Sequence, residues 1–534
     1  MTVKGYPRLV TFGCGLPDSV PAEEFGNKAA NLATIATQGV KVPPAFCLGV
    51  SLCEEYFKSG KKLPPDLPDL LKAGISWLEK TTGLSFGNSR KPMLVSVRSG
   101  APVSMPGVME TILNVGLSRE SVRGLISFSG NPRFAWDSYR RLIQNFGEVI
   151  CGHPSALYRT ALHAAMEREG VADEVELDAL TLRELAYEYE RIYSLTEGQK
   201  FPEQATEQIG LAVEAVIRSW ESPRAEAFRR LNLIREVRGT AVTIQNMVFG
   251  NIGTRSGAGV AFTRNPWQGD SRILVDFKFG AQGEDVVSGD QSATTQDEFR
   301  EVLPDVYHEL LDTAKKLEVF FKDMQDLEFT VQDGELFILQ TRSGKRSPYA
   351  ALKIAADLCH EGIISPQDVI WMLREVDIDA ITIESVQTHD HPIGVGIPAS
   401  GGVAAGAIAF STPRAEEMES EGQDVILVRE TPSPDDIPGI QASRALLTAR
   451  GARTAHAAVV ARQMGKVCVV GCEGLVLEES RRRCLISGQE FSEGSIITVD
   501  GNSGRIFRGE VEYSTDRPSR LIDMVREWER GLQM

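Results

Sequence analysis

The sequence predicts a mixed α/β (α+β) protein with several domains. A chain of 534 residues is too long for one hydrophobic core, so two to four domains are expected. Short apolar strands alternate with helices over the first hundred residues and again after Gly239, whereas the segment between Asn131 and Arg230 has helical periodicity. A second, smaller α/β pattern begins near Gly394 and closes at Gly501-Asn-Ser-Gly504.

Individual elements follow from periodicity and turn residues. Helical periodicity predicts these segments: 133–146, 180–195, 350–376 and the last twenty-odd residues. Apolar runs predict these strands: 240–249, 272–277, 327–331 and 336–340. The last two strands flank Gln332-Asp-Gly-Glu335, which predicts a hairpin turn, and residues 377–392 are expected to be a connector.

Composition and charge restrict the class of partner. Hydrophobic residues make up 42% of the chain and charged residues 24%, which is ordinary for a globular protein. The net charge of -16 argues against nucleic acid or an anionic membrane as the main partner. The eight cysteines are scattered without metal-ligand spacing, and no apolar run reaches transmembrane length. We therefore expect a soluble cytoplasmic protein with reduced thiols.

The run Thr454-Ala-His-Ala-Ala-Val-Val-Ala-Arg462 is the most informative segment. Thr454 is a good N-cap, and Gly465 ends the helix before the apolar strand 467–470. His456 is therefore expected near a helix N-terminus, where a negatively charged group is favoured. On this local pattern alone a structural histidine is the more frequent interpretation. The upstream motifs favour a histidine that carries a phosphoryl group.

Two upstream segments predict cations that contact phosphate. Lys28 opens a helix in Phe25-Gly-Asn-Lys-Ala-Ala-Asn-Leu32, although a surface lysine is the commoner interpretation of this pattern. Arg98 ends the buried strand Leu94-Val-Ser-Val-Arg98, where its guanidinium can grip a phosphate by two nitrogens. The loop after it contains Gly107, which allows close backbone approach to a ligand.

A third segment predicts a site for Mg²⁺. Asp326 and Glu328 alternate along one strand and share a face, and Gln340 lies on the partner strand. Two carboxylates and an amide oxygen suit Mg²⁺ that bridges nucleotide phosphates, with Arg342 as a further cation. The alternative is cross-strand polar pairing on a solvated face.

The chain resembles the pyruvate phosphate dikinase family over nearly all of its length. These stretches carry the resemblance: Leu94-Val-Ser-Val-Arg-Ser-Gly-Ala101, Ser104-Met-Pro-Gly-Val-Met-Glu-Thr-Ile-Leu-Asn114, Gly257-Ala-Gly-Val-Ala-Phe-Thr-Arg-Asn-Pro266, Gly280-Ala-Gln-Gly-Glu-Asp-Val-Val287, Leu339-Gln-Thr-Arg-Ser-Gly-Lys-Arg346 and His456-Ala-Ala-Val-Val-Ala-Arg462. The Ser-Met-Pro-Gly loop looks like the dikinase that uses phosphate rather than the related synthase that uses water.

The resemblance implies a domain organisation. It comprises an ATP-grasp nucleotide-binding domain at 1–345 with a helical insertion at about 131–235, a helical linker at 346–392 and a swivelling phosphohistidine domain at 393–510. A C-terminal helix at 511–534 follows. In the family, the histidine domain collects a phosphoryl group at the ATP site and then swings to a second site.

The resemblance also implies roles for single residues. Lys28, Arg98 and Arg342 would hold the phosphates of ATP, Glu328 and Gln340 would bind Mg²⁺, and Asp326 would lie beside the transferring group. Gln245, Met247 and Val248, on a strand at 244–248, match the segment that lines the adenine pocket. His456 would be the phosphoryl carrier and Thr454 would orient its ring. Arg140 or Arg141 is a candidate contact for inorganic phosphate.

Two departures from the family pattern change the expectation. Relatives read Gly-Gly-Met-Thr-Ser-His where this chain reads Gly451-Ala-Arg-Thr-Ala-His456, so Ala452 would be strained if that position needs positive φ. Arg453 adds a cation that would steady a phosphohistidine or contact a partner. The chain also stops after a short helix, where the family continues into a barrel that binds pyruvate and phosphoenolpyruvate and needs roughly 250 residues.

Three hypotheses follow. The first is an ATP-dependent phosphotransferase that converts ATP and inorganic phosphate to AMP, pyrophosphate and phospho-His456. Its acceptor is either pyruvate on a separate subunit or another small molecule, and a homo-oligomer is left open. The second is a non-catalytic regulator that binds ATP and docks a full-length dikinase or another protein. The third, a piece of a longer enzyme, is weakened by the charged terminal helix at 518–534, which resembles a finished end or a docking handle, although a severed linker would look similar.

Overall fold

The structure, a computed structural model, divides into two compact units. It describes residues 2–3, 6–13, 20–103, 105, 109–171, 173–231, 234, 237–287, 296–431, 436–453, 456–478 and 481–533. The first unit comprises 1–256 with 330–341, and the second comprises 257–329 with 342–534.

The first unit is built on an antiparallel sheet of six strands. The strands of this unit are β1 (Thr2–Val3), β2 (Tyr6–Phe12), β3 (Ala45–Leu48), β4 (Ser85–Phe86), β5 (Pro92–Met93), β6 (Val95–Gly100), β7 (Thr111–Val115) and β8 (Ala241–Asn246). The sheet order is β1-β2-β3-β8-β6-β7, while β4 and β5 form a separate parallel pair. The central strands β3 and β8 are buried on both faces, since helices cover the sheet.

Nine helices are described in the first unit. They are α1 (Ala22–Thr37), α2 (Ser51–Lys58), α3 (Leu67–Thr82), α4 (Arg119–Ser129), α5 (Pro132–Asn145), α6 (Ala156–Glu169), α7 (Ala179–Glu197), α8 (Ala205–Ser219) and α9 (Pro223–Leu231). Asn131 caps α5 by accepting a hydrogen bond from the Phe134 amide, and Pro132 follows at the first helical position. A π-helix, Phe146–Cys151, continues directly from α5. The predicted helices at 133–146 and 180–195 are confirmed as α5 and α7.

The second unit begins with a four-stranded sheet. Its elements are β9 (Gly257–Phe262), β10 (Leu274–Phe279), α10 (Gly283–Val287), α11 (Gln296–Val302), α12 (Pro304–Phe321), β11 (Gln325–Gln332) and β12 (Glu335–Ser343). The sheet order is β10-β9-β11-β12. Residues 330–341 at the hairpin end of β11 and β12 are counted with the first unit. Asp333 and Gly334 have φ of 52° and 82°, as a two-residue hairpin turn requires, so the predicted hairpin is confirmed.

The predicted helical stretch 350–376 is wrong in one respect, because it contains two helices. These are α13 (Pro348–His360) and α14 (Pro366–Leu373). Gly362 has φ of 72°, which stops α13, and Ser365 then starts α14 through a capping box with Asp368. The stop and start signals between them therefore override the continuous apolar periodicity.

The rest of the second unit contains a mixed eight-stranded sheet that is covered on both faces, a two-stranded sheet (383–386 with 513–516) and a three-stranded sheet (475–478, 483–486 and 489–492). Its elements are β13 (Ile383–Val386), β14 (Gly394–Val395), β15 (Ile397–Ser400), β16 (Val403–Ala409), α15 (Thr412–Ser420), β17 (Val425–Arg429), α16 (Ile437–Ala442), β18 (Ala445–Thr448), α17 (His456–Gln463), β19 (Val467–Val470), β20 (Leu475–Glu478), β21 (Arg483–Ile486), β22 (Gln489–Ser492), β23 (Ile496–Asp500), β24 (Arg505–Arg508), β25 (Tyr513–Asp516) and α18 (Ser519–Gln533). The eight-stranded sheet has the order β14-β24-β23-β16-β17-β18-β19-β15. Strands β16 to β19 are parallel neighbours. Val467 and Val469 pack in one core, and Cys468 and Val470 pack in the other.

Candidate functional site

Lys28 follows a break in α1. Gly26 has φ of 77° and ψ of 156°, and a Cβ built there would lie 1.9 Å from the carbonyl oxygen of Gly100. The Asn27 amide donates to the carbonyl of Ala101 at 3.2 Å, so α1 resumes against the end of β6. Lys28 therefore lies in the first turn of the second segment of α1, where backbone N–H groups favour an anion.

Arg98 lies near the end of β6, as its strand-end position in the sequence predicts. Its backbone pairs with Thr243 of β8 and Thr111 of β7, which fixes the strand in the middle of the sheet. The Nη1 group donates to the carbonyl of Leu339 at 3.4 Å. Leu339 precedes Gln340 on β12, so Arg98 and Gln340 belong to neighbouring parts of the first unit.

The segment expected to line an adenine pocket leaves the sheet earlier than predicted. Strand β8 ends at Asn246 because the Met247 amide donates to the carbonyl of Leu94 at 2.9 Å, outside the ladder. The Gln245 side chain is buried and donates to the carbonyl of Pro43 at 3.1 Å. Among the described residues, no hydrogen bond engages the Val248 amide.

Asp326, Glu328 and Arg342 come together within the second unit. The Arg342 Nε donates to Asp326 Oδ2 at 2.7 Å, and its Nη2 lies 3.9 Å from Glu328 Oε1. Burial raises the pKa of Asp326, and the Arg342 charge offsets this only in part. Burial opposes the charge on Arg342, but Asp326 and Glu328 outweigh burial and raise the pKa of the guanidinium. The result is a compact charged group on neighbouring strands.

These side chains fit Mg²⁺ by their chemistry. Asp326 Oδ1 is buried and has no hydrogen-bond partner among the described residues, and Glu328 is half-buried beside it. Carboxylate oxygens are the ligands that Mg²⁺ prefers, and an amide oxygen such as that of Gln340 is of the same hard type. Gln340 is half-buried on β12, in the part counted with the first unit.

The helix α17 begins at His456. Thr454, Ala455 and the His456 side chain lie outside the described residues, so the predicted cap and ring orientation remain predictions. The helix follows the end of β18 and precedes β19, which places its N-terminus at the carboxyl edge of a parallel sheet. Ala452 is buried and is not among the residues with positive φ, so the strain considered for it does not arise.

Sequence reasoning assigned no role to Arg462 and Asp276. Arg462 is buried and donates to the carbonyls of Ala399 at 2.9 Å and Arg453 at 3.0 Å. Its guanidinium carbon lies 5.3 Å from the centre of the Phe262 ring. Burial lowers its pKa, against the attraction of neighbouring anionic groups that include Asp326 and Asp276. Arg462 belongs to the motif at 456–462 that matches the family, and this match is the sequence signal that could have identified it.

Arg453, the cation that departs from the family pattern, contacts Asp276 of β10. Its Nη1 lies 3.0 Å from Asp276 Oδ1, and the two side chains are 20% and 6% exposed. The segment that carries His456 therefore packs against the sheet that carries Asp326, within the second unit.

Arg140 and Arg141, the candidate contacts for inorganic phosphate, lie in ion pairs within the first unit, and the phosphate contact stays a prediction. Arg140 is 2% exposed and pairs with Asp137 at 2.8 Å and Glu174 at 2.7 Å. Arg141 pairs with the same two carboxylates at 3.1 Å and 2.6 Å. These ion pairs already balance both cations, which gives the arginines a structural role in the helical part of the first unit.

Comparison with protein families identifies two regions of the chain. The model described as "Pyruvate phosphate dikinase, AMP/ATP-binding domain" matches residues 59–307 and 296–361. The model described as "PEP-utilising enzyme, mobile domain" matches residues 421–504, which include His456. The α/β fold therefore combines the ATP-grasp domain and the phosphohistidine domain that the resemblance implied.

Curated relatives agree with the family models. The chain is 41% identical to the pyruvate, phosphate dikinase of Clostridium symbiosum over 94% of this chain and 58% of the relative. It is 41% identical to chloroplastic pyruvate, phosphate dikinase 1 of Arabidopsis thaliana over 98% of this chain and 55% of the relative. The chain thus spans a little over half the length of these relatives. On this evidence the chain belongs to the pyruvate phosphate dikinase family.

Proposed function

We propose that the chain is an ATP-dependent phosphotransferase of the dikinase type. One phosphoryl group of ATP would end on His456, and another would join inorganic phosphate as pyrophosphate, with release of AMP. The observation that supports this most directly lies within the second unit. Arg462 of α17 lies over the Phe262 ring of β9, the strand next to β11, so the helix that begins at His456 packs against the sheet that carries Asp326 and Glu328.

The proposed roles follow the geometry of each unit. In the first unit, Lys28 and Arg98 contact the phosphates of ATP, and Gln340 supplies an amide oxygen for Mg²⁺. Gln245, Met247 and Val248 form the wall of the adenine pocket. In the second unit, Glu328 binds Mg²⁺, Arg342 contacts a phosphate and Asp326 lies beside the transferring group.

Catalysis rests on positioning and charge. Phosphoryl transfer needs the attacking and leaving groups in line and the charge of the phosphate oxygens balanced. Bound Mg²⁺ would supply part of that balance. Arg342 is held by Asp326, so its guanidinium is fixed before the nucleotide arrives. The amides at the start of α17 would favour the charged phosphoryl group on His456.

The acceptor receives the phosphoryl group from phospho-His456. Relatives are named for pyruvate and phosphate, and the chain spans 55% to 58% of the lengths of those compared above. We propose either pyruvate bound by a separate subunit or another small molecule as acceptor. The division into a nucleotide domain at 1–345, a linker at 346–392, a swivelling histidine domain at 393–510 and a C-terminal segment at 511–534 is part of the same proposal. The helix predicted for the last segment begins only at Ser519, because residues 513–516 form β25, which pairs with β13 of the predicted connector. Among the described residues, no helix has both the length and the apolar composition for crossing a membrane.

Labelled ATP tests the half-reaction directly. The protein is incubated with ATP labelled in the β-phosphate, Mg²⁺ and inorganic phosphate, and AMP and acid-labile label on the protein are followed. We expect label with equimolar AMP in the natural protein and none in His456→Ala. The matched control is His308→Ala, which removes an exposed histidine whose ring nitrogen contacts the Pro304 carbonyl of its own helix.

Each outcome separates two hypotheses. Label that persists in His456→Ala would refute the assignment of the carrier. Bound ATP without label in the natural protein would favour the regulator hypothesis. Label that appears only when a barrel subunit is added would show that the half-reaction needs its partner.

A further inference from the structure

The π-helix that follows α5 brings three metal-ligating side chains together in the first unit. Cys151 is the last residue of the π-helix, and Gly152 after it has φ of 76°, which turns the chain sharply. His153 follows, and its amide donates to the Gly147 carbonyl at 2.8 Å. π-helical turns are rare and occur often at functional sites. The turn places the side chains of Cys151 and His153 on the same side, facing the end of α7.

Glu197 completes the group from the last turn of α7. The Cys151 sulfur, a ring nitrogen of His153 and a carboxylate oxygen of Glu197 all lie within 4.8 Å of one another. The His153 Nε2 is 2.8 Å from Glu197 Oε1. Side-chain exposure is 2% for His153 and 27% for Glu197, so the imidazole is buried and the group opens towards solvent on the carboxylate side.

The surrounding residues hold the imidazole in place. His153 Nδ1 lies 2.9 Å from the Tyr158 hydroxyl, which leaves Nε2 directed towards Cys151 and Glu197. A Cβ at Gly147 would lie 2.0 Å from the Tyr158 hydroxyl and 2.8 Å from His153 Nδ1, so the backbone makes room for this contact. Histidines that bind metals are oriented in this way, by a second partner on the other ring nitrogen.

We propose that Cys151, His153 and Glu197 form a zinc-binding site. A thiolate, an imidazole and a carboxylate are the ligand types of protein zinc sites, whereas Mg²⁺ prefers oxygen alone. The thiolate and the carboxylate together balance the charge of a divalent cation. Zinc-ligand bonds of about 2.0 to 2.3 Å require ligand atoms to be roughly 3 to 4 Å apart. The His153–Glu197 contact of 2.8 Å would therefore lengthen slightly, and the Cys151 sulfur, which lies within 4.8 Å of both partners, needs at most a small side-chain adjustment.

The site would join the end of the π-helix to the end of α7. Three protein ligands leave one tetrahedral position for water, since Glu197 is partly exposed. None of the residues proposed to contact ATP or Mg²⁺ belongs to this group. The zinc site can therefore be tested independently of the proposed phosphotransferase activity.

Metal content tests the site. The full chain is loaded with one equivalent of Zn²⁺ in the presence of excess Mg²⁺, passed through a gel-filtration column and analysed by elemental mass spectrometry. We expect about one zinc per chain in the natural protein and at least about tenfold weaker retention in Cys151→Ser and in Glu197→Gln. Cys359→Ser is the matched control, because Cys359 is a half-buried thiol outside the group.

Cobalt identifies the sulfur ligand. With Co²⁺ as the probe, the natural protein and Cys359→Ser should show the thiolate-to-cobalt charge-transfer band, and Cys151→Ser should lack it. No retained zinc in the natural protein, or equal retention in Cys151→Ser and Cys359→Ser, would overturn the proposal and leave a hydrogen-bonded network. Glu197→Gln keeps the test decisive if Cys151→Ser does not fold, because it changes a partly exposed side chain without altering its size.

Discussion

At the scale of single residues, buried charge distinguishes the helical part of the first unit. Asp137 and Arg140 both lie on α5 and are 4% and 2% exposed. Burial alone would raise the pKa of Asp137, but Arg141, Arg140 and Arg133 outweigh it and lower that pKa to about 2. A carboxylate with a lowered pKa stabilises the fold above its unfolded value and loses that effect as the pH falls through its folded value.

Asp137→Asn should therefore destabilise the protein at neutral pH. We expect a loss of about 3 kcal/mol, because Arg140 would be left with Glu174 alone in a buried position. The difference from the natural protein should shrink as the pH falls from about 4 towards 2, because Asp137 becomes protonated first in the unfolded state and then, near its folded pKa of about 2, in the folded state as well. Urea denaturation at a series of pH values measures this.

Asp69→Asn is the control for this experiment, since Asp69 is exposed in the first turn of α3. It should change the urea midpoint little at any pH. Equal midpoints for Asp137→Asn and the natural protein at neutral pH would show that the buried network contributes nothing to stability.

Residue spacing in the sequence predicts some contacts of single residues and misses others. Asp326, Glu328 and Arg342 share a strand pair, and their spacing of two residues was sufficient to predict one charged group. The contact between Arg98 and the Leu339 carbonyl joins residues 241 positions apart, which no spacing rule reports. The family resemblance supplied that association instead.

At the scale of elements, the break in α1 decides where Lys28 lies. Gly26 combines positive φ with extended ψ, a region that only glycine enters readily, and it passes within van der Waals distance of Gly100. A continuous helix from Ala22 would carry Lys28 away from the end of β6. The sequence predicted the helix but not its interruption, because the interruption depends on the close approach of Gly100 at the end of β6.

Gly26→Ala should weaken ATP binding at least about tenfold and cost about 1 to 3 kcal/mol of stability. The added methyl group meets the Gly100 carbonyl, which belongs to the backbone and cannot rotate away. Calorimetric titration with ATP and thermal denaturation measure the two effects.

Gly210→Ala is the matched control in α8. A Cβ there meets nothing within 4 Å, so we expect unchanged ATP binding and a gain of about 1 kcal/mol. ATP binding by Gly26→Ala equal to that of the natural protein would refute the role assigned to the break.

At the scale of the whole molecule, the second unit joins the strand of Asp326 to the helix of His456. The Arg453–Asp276 ion pair and the buried Arg462 hold these parts together. Arg453 stands where the family pattern usually has methionine, so we expect the ion pair to stabilise the packed arrangement in this chain. A double-mutant cycle measures the coupling energy of the Arg453–Asp276 ion pair.

Arg453→Met should slow AMP formation, because it leaves Asp276 buried without its partner. Arg453→Met combined with Asp276→Asn should recover part of the loss, with a coupling energy of about 1 to 3 kcal/mol. The rate of AMP formation and the denaturation midpoint are measured for all four members of the cycle. Arg450→Met is the control, as its ion pair with Glu430 is exposed on both sides.

Additive effects in that cycle would mean that Arg453 and Asp276 act independently, which would contradict their proposed link. A change in midpoint without a change in rate would assign the pair to stability alone.

The sequence by itself determined the local elements and the family. Helix caps, positive-φ glycines and apolar periodicity act over a few residues, so α5, α7 and the Asp333-Gly334 hairpin could be predicted from them. The helix-start pattern at 25–32 and the family motif at 456–462 are contiguous as well, and they identified Lys28 and His456 as candidates.

Only the tertiary structure decided which distant residues meet. His153 and Glu197 are 44 positions apart, and Arg453 and Asp276 are 177 positions apart. Their contacts depend on how helices and sheets pack, and packing is set by burial of apolar surface summed over many residues. No local pattern encodes such a pairing. The spacing of the cysteines therefore did not predict a metal site, although Cys151 lies beside a buried histidine and a carboxylate in the fold.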